Sequence, residues 1–191
     1  MASPDPLHTA LFLIGAFVPA GMLHTAWLAS LRSHAFAIPL DGGRTLRGRR
    51  ILGDNKGLRG FLVMTPAAAA MFALLHWMLQ GSGGAPWPLT SGQYALLGAW
   101  AGFGFMAGEL PNSFVKRQLD VAPGTAPANR LAAALFFVVD RVDSIVGMLL
   151  ALACFVAIPA ATWGWMLLLG PAIHGSFSVV LHRLGVKARP A

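Results

Sequence analysis

The chain has 191 residues, of which 56% are hydrophobic and only 11% charged, with a net charge of +7; its mean hydropathy is +0.64. That length fits one domain, and the charge is under half of the roughly 25% typical of soluble domains, which argues against a water-soluble globule and for an integral membrane protein. The basic residues flank apolar runs and do not alternate with exposed aromatics, so a nucleic-acid partner is not expected despite a pI near 11.1.

A membrane span needs roughly 20 apolar residues, because a helix rises ~1.5 Å per residue and the hydrocarbon core is ~30 Å thick. Five segments qualify: 7–31, 60–79, 92–110, 131–158 and 162–184. Each is expected to be helical, since lipid offers no partner for unpaired backbone groups. The expected fold is therefore all-α and integral to the membrane, a single domain over 1–191 with five transmembrane helices and two long cytoplasmic loops.

The first segment follows MASPDPLHTALFL, which lacks the basic n-region of a cleaved signal peptide. The loop after it holds seven basic residues, Arg32, Arg44, Arg47, Arg49, Arg50, Lys56 and Arg59. It ends in ILGDNKGLRG (51–60), where Gly53, Gly57 and Gly60 would let backbone amides approach a phosphate beside Lys56 and Arg59. The alternative is a solvated turn leading into the second span. That span is followed by QGSGGAPWP, a short, flexible external turn with no basic residue.

The third span ends in GELPNSFVKR (108–117). A helix continuing past Pro111 would place Glu109, Ser113 and Lys116 on one face, at i, i+4 and i+7. A break at Pro111, with a new start near Ser113, is the expectation from proline chemistry. Lys116 and Arg117 could hold phosphates, the arginine as a fork and the lysine as a point charge, or they could simply mark the cytoplasmic side.

The fourth span is interrupted by DRVD. Asp140 and Asp143 are three residues apart and share a helix face. A charge at a helix centre in the membrane costs on the order of 2.5–3.5 kcal/mol, and two carboxylates side by side repel unless a cation joins them. Hard oxygen ligands suit Mg2+ or Mn2+. The alternative is an acid pair near a helix start, neutralised by Arg141. Cys154, the one cysteine, is expected to be a buried packing thiol. His24, His76 and His174 are expected to be packed interior histidines.

Lys116, Arg117 and Arg130 fall in the third loop, and Arg183, Lys187 and Arg189 in or near the tail. The N-terminal segment, the 81–91 turn and the turn near Pro159 have none. This alternation places the N-terminus outside and the C-terminus in the cytoplasm of a cell membrane. Acids for a metal and bases for phosphates, gathered on one side, suit phosphoryl or nucleotidyl transfer at the membrane surface.

Three motifs in order carry a resemblance: PLDGGRTLRGRRILGDNKGLRGF (39–61), GELPNSFVKRQLDVAPG (108–124) and VVDRVDSIVG (138–147). The chain resembles the archaeal CDP-archaeol synthases within the wider phosphatidate cytidylyltransferase family. The resemblance implies an enzyme that transfers CMP from CTP to a membrane lipid phosphate, giving a CDP-lipid and pyrophosphate. It implies Asp140 and Asp143 as ligands of Mg2+ or Mn2+, with Glu109 assisting. Lys56, Arg59, Lys116 and Asp143 would be catalytic, and Asp54, Asn55, Ser113 and Arg117 would bind the CTP phosphates. The partners implied are the lipid phosphate and membrane lipids. Such proteins are often homodimers, though no stretch here marks an interface.

Two positions depart from the family pattern. Glu109 stands where members typically carry aspartate, and His174 is followed four residues on by Ser178 where asparagine is usual. These departures keep two other readings open, a CTP-dependent polyprenol or phytol kinase and a non-catalytic membrane protein. A transporter fits less well, because the acids collect at one face and not at the midplane.

Overall fold

The computed structural model of the protein describes residues 4–185. It contains five long helices: α1 (Pro6–Ala29), α2 (Leu58–Leu79), α3 (Ser91–Gln118), α4 (Arg130–Ala153) and α5 (Ala160–Arg183). Between α1 and α2 lies a two-stranded ribbon, β1 (Thr45–Leu46) against β2 (Arg49–Arg50). Lys187 and Arg189, and the side chains of His174 and Ser178, lie outside the described residues.

Local chemistry sets the helix starts. Asp5 accepts the His8 backbone N–H at 2.7 Å, and Pro6 fills the first turn, where no donor is needed. Thr90 and Gln93 form a reciprocal capping box at α3. Asn129 accepts from the backbone of Leu131 and Ala132 at 2.9 and 3.1 Å to start α4.

The outer helix faces are apolar. Trp77 and Leu168 are 68% exposed and Leu96 73%, a surface suited to lipid and not to water. Among the described residues, α1 and α2 are long and apolar enough to cross a membrane by length and composition. α3 and α4 carry the charged motifs, which lowers their apolar character.

α3 is the central helix, packed between α2 and α4, while α1 packs on α2 and α5. Where α3 crosses α4, Gly108 lies against Gly147 and the Asp143 carbonyl, and a methyl group at Gly108 would collide with both. This crossing brings GELPNSFVKR within side-chain reach of DRVD. At the opposite end, Phe12 meets Phe72 edge-on at 5.2 Å. Tyr94 there donates to Trp87 O and accepts from Trp87 N, both at 2.9 Å.

Several expectations change. α3 runs unbroken through Pro111 to Gln118; the proline removes one hydrogen bond, and packing against α2 and α4 holds the helix across the gap. α4 ends at Ala153, and Cys154 is exposed. It caps a helix end and so leaves the packed interface. The QGSGGAPWP turn is anchored, because Trp87 is 5% exposed and donates to Ala157 O at 3.1 Å. His76 is buried as expected, stacked on Tyr94 at 4.3 Å. His24 is half-buried and lines the cavity described below.

Candidate active site

Continuity of α3 aligns Glu109, Asn112, Ser113 and Lys116 at i, i+3, i+4 and i+7. Asp140, Asp143 and Ser144 form the facing row on α4. One amide nitrogen joins the two rows. Asn112 Nδ2 donates to Asp140 Oδ1 at 2.6 Å and to Asp143 Oδ2 at 2.8 Å. Lys116 Nζ donates to Asp140 Oδ2 at 2.5 Å. The Ser144 backbone N–H donates to Asp143 Oδ1 at 2.7 Å. Arg141 does not neutralise the acids: it stacks 3.2 Å over the Phe137 ring and donates to Phe137 O at 2.7 Å.

The loop between α1 and α2 supplies the third wall. Its ends are drawn together by Leu40 N donating to Lys56 O and Leu58 N to Ile38 O, each at 2.9 Å. Asp41 is the staple inside it. Its carboxylate accepts from Arg50 Nη2 at 2.8 Å, Leu52 N at 2.9 Å, Gly43 N at 3.0 Å and Gly53 N at 3.2 Å. The Arg50 guanidinium and these backbone donors hold the Asp41 carboxyl well below the usual carboxylate range, against the opposing effect of burial. The ribbon turn needs positive φ at Arg47 (53°) and Gly48 (79°), as a two-residue hairpin does. It presents Arg49 to Asp120 at 2.6 Å and to Gln118 O at 2.6 Å, fixing the loop to the end of α3.

Lys56 leaves this loop and pairs with Glu109 Oε2, while Ser144 Oγ donates to Glu109 Oε1 at 2.9 Å. Burial works against the Lys56 charge, yet Glu109 beside it, with Asp143 and Asp140 beyond, raises it above the ordinary amine range. Arg117 is 7% exposed, and its Nε and Nη1 have no hydrogen-bond partner among the described residues.

These walls enclose a cavity of about 510 Å3. Asn55, Lys56, Arg59, Glu109, Ser113, Lys116, Arg117, Asp140 and Asp143 line its polar part. Its other part is apolar, with Ile14, Phe17 and Val18 from α1 and Met148, Met166 and Phe177 from α4 and α5. Asp54 stands outside it, with its side chain 76% exposed and paired to Arg50 at 2.9 Å; the turn geometry points it away. Among the described residues, no group of three or more His, Cys, Asp or Glu side chains could by itself hold a metal ion.

Sequence reasoning missed Asn112, Ser144 and Asp41. The first two carry a readable signal, since Asn112 lies between Glu109 and Lys116 on the same face and Ser144 is four residues beyond Asp140. Asp41 gives none, because its partners come from residues 43–53 through the loop's own fold.

A family model described as CarS-like, CDP-archaeol synthase, matches residues 14–190. A CDP-archaeol synthase of Halobacterium salinarum is 37% identical over 195 residues, spanning 97% of this chain and 99% of that protein. Those of Methanopyrus kandleri and Methanospirillum hungatei are 33% and 31% identical, over 86% and 80% of this chain and 87% and 89% of theirs. No solved structure matches the chain. With its three polar motifs converging on one cavity, and with near full-length similarity to these proteins, the chain belongs to the CDP-archaeol synthase family of integral membrane proteins.

Proposed function

We propose that this protein transfers the cytidylyl group of CTP to the phosphate of archaetidic acid, giving CDP-archaeol and pyrophosphate. The observation that carries this reading is a single cavity with two chemistries. Lys56, Arg59, Lys116 and Arg117, with Glu109 and two aspartates, line one part, and apolar side chains from α1, α4 and α5 line the other. A triphosphate and an amphiphilic lipid phosphate can meet there and nowhere in water.

In this reading the lipid phosphate oxygen attacks the α-phosphorus of CTP, and the bond to the β-phosphate oxygen breaks to release pyrophosphate. Arg117 supplies a guanidinium with two unpartnered nitrogens, Nε and Nη1, for the triphosphate. Lys116 on α3, Arg59 on α2 and Lys56 on the loop before it add charge to the same cavity. Such fixed cations stabilise charge that develops on the transferring phosphoryl group. Ser113, 6% exposed, and Asn55 offer polar contacts at the rim.

Asp140 and Asp143 would hold a divalent ion. The donor set fits Mg2+ or Mn2+, which take one or two carboxylates and complete their shell with substrate phosphates and water. A further oxygen, Asn112 Oδ1, is buried without a hydrogen-bond partner beside them. When bound, the ion would neutralise phosphate oxygens.

We further propose that all five helices cross the membrane as one domain, with the N-terminus outside and both cavity-roofing loops in the cytoplasm. The support is the alternation of basic and neutral loops. Incubating the purified protein with Mg2+, archaetidic acid and CTP labelled at either the α- or γ-phosphate tests the reaction. Label from the α-position is expected in the lipid. Transfer of γ label alone would make the protein a lipid kinase and overturn the proposal, and absence of any transfer would leave it non-catalytic.

A further inference from the structure

We propose that Glu109 is a positioning residue that holds the Lys56 ammonium in the phosphate site; this rests on the cytidylyl-transfer reading above. Both oxygens of the Glu109 carboxylate are taken by protein donors. Ser144 Oγ on α4 donates to Oε1 at 2.9 Å, and Lys56 Nζ on the loop donates to Oε2. The pair is largely enclosed, with 17% of the Lys56 side chain and 20% of the Glu109 side chain exposed.

Lys56 has no helix or strand of its own to aim it. Its backbone is held by two loop hydrogen bonds, Lys56 N to Gly53 O at 3.1 Å and Leu40 N to Lys56 O at 2.9 Å. Its side chain must then cross from the loop to the bundle. An enclosed ammonium goes where a carboxylate receives it, so Glu109 decides where that charge stands. Ser144 holds the carboxylate by its other oxygen and so fixes its direction.

The aspartate couple shares Ser144 with Glu109, since the Ser144 backbone N–H donates to Asp143 Oδ1 at 2.7 Å, but it has a link of its own. Asp140 and Asp143 are joined through Asn112 Nδ2 and do not depend on Glu109 for that link. One wall of the cavity therefore contains a carboxylate pair for a cation and a distinct carboxylate that aims a lysine. The length of Glu109 suits the second task. An aspartate, shorter by one C–C bond of about 1.5 Å, would not reach from α3 to both Ser144 and the loop.

The test uses the full-length protein in detergent with archaetidic acid, Mg2+ and α-labelled CTP, comparing E109D, E109Q, K56M and the double variant E109D/K56M. E109D and K56M are each expected to raise KM for CTP about tenfold, the factor of one charge-assisted hydrogen bond. The double variant should be no worse than either single one. The Mg2+ concentration for half-maximal rate at saturating CTP should stay within about twofold of the wild type in E109D and E109Q, a smaller change than loss of one ligand-sphere contact gives. The proposal is overturned if E109D keeps the wild-type KM for CTP while E109Q raises the Mg2+ requirement, which is how a metal ligand behaves. It is also overturned if the E109D and K56M effects multiply. Should the wild type transfer no α label, the cytidylyl-transfer reading alone fails. The Lys56–Glu109 coupling is then read from melting temperatures of the same proteins, where non-additive losses support the strut and additive losses overturn it.

Discussion

Arg117 carries the sharpest residue-level expectation. A buried guanidinium with unpartnered Nε and Nη1 destabilises the resting protein unless an anion meets it. Replacing Arg117 with Met is expected to lower kcat/KM for CTP about 10- to 100-fold, as loss of a charged hydrogen bond of ~1.5–3 kcal/mol would. The same change should leave the melting temperature level or higher. Asp143→Asn is expected to abolish transfer, measured as label in lipid, and to keep the size-exclusion profile of the wild type. Asn112 donates to Asp143 Oδ2, and an asparagine oxygen at 143 can still accept that bond. Asp41 makes the loop acid-sensitive. Its carboxyl titrates lower in the folded loop than the ordinary aspartate value of about 3.9. The stabilisation is therefore complete above that value and drains away as pH falls through the depressed one. Hydrogen exchange at Leu52 and Gly53 should be faster in D41N than in wild type at neutral pH, and the difference should shrink in acid.

At the scale of elements, the α3–α4 crossing decides whether the site exists. Gly108 sits against Gly147 and the Asp143 carbonyl, so side chains one position on, at Glu109, meet Ser144 directly. Gly108→Ala is expected to push the helices apart, destabilising the protein by about 1–3 kcal/mol, as overpacking does. Activity should fall further than stability, because Asn112 would no longer bridge both aspartates. Thermal unfolding and label transfer on one preparation check both. The ribbon acts on the other side of the cavity. Through Arg49 and Gln118 it fastens the long loop that carries Lys56 to the end of α3.

For the whole molecule, the arrangement of helices makes one amphiphilic chamber, lined by the basic loop before α2, the loop before α4 and apolar side chains. The proposed topology puts the exposed Cys154 on the outer side and the ribbon on the inner side. A membrane-impermeant maleimide is expected to label Cys154 in intact cells. In a C154A background, Arg44→Cys should react only after the membrane is opened. The reverse pattern would invert the topology.

Much of this protein was legible in order of residues alone. Low charge and five apolar runs determine a helical membrane chain, because water-free surroundings leave the backbone no other option. The clustering of Asp140, Asp143, Lys116, Arg117, Lys56 and Arg59 in three motifs marks the cavity walls, since charges so costly in lipid are kept only where they act. Tertiary structure decided the pairings. Whether α3 survived Pro111, whether Cys154 was packed, whether Asp54 faced in or out, and which cation answered which carboxylate all depend on neighbours distant in sequence. Lys56 and Glu109 are 53 residues apart, and only a glycine-lined helix crossing with a stapled loop brings them together.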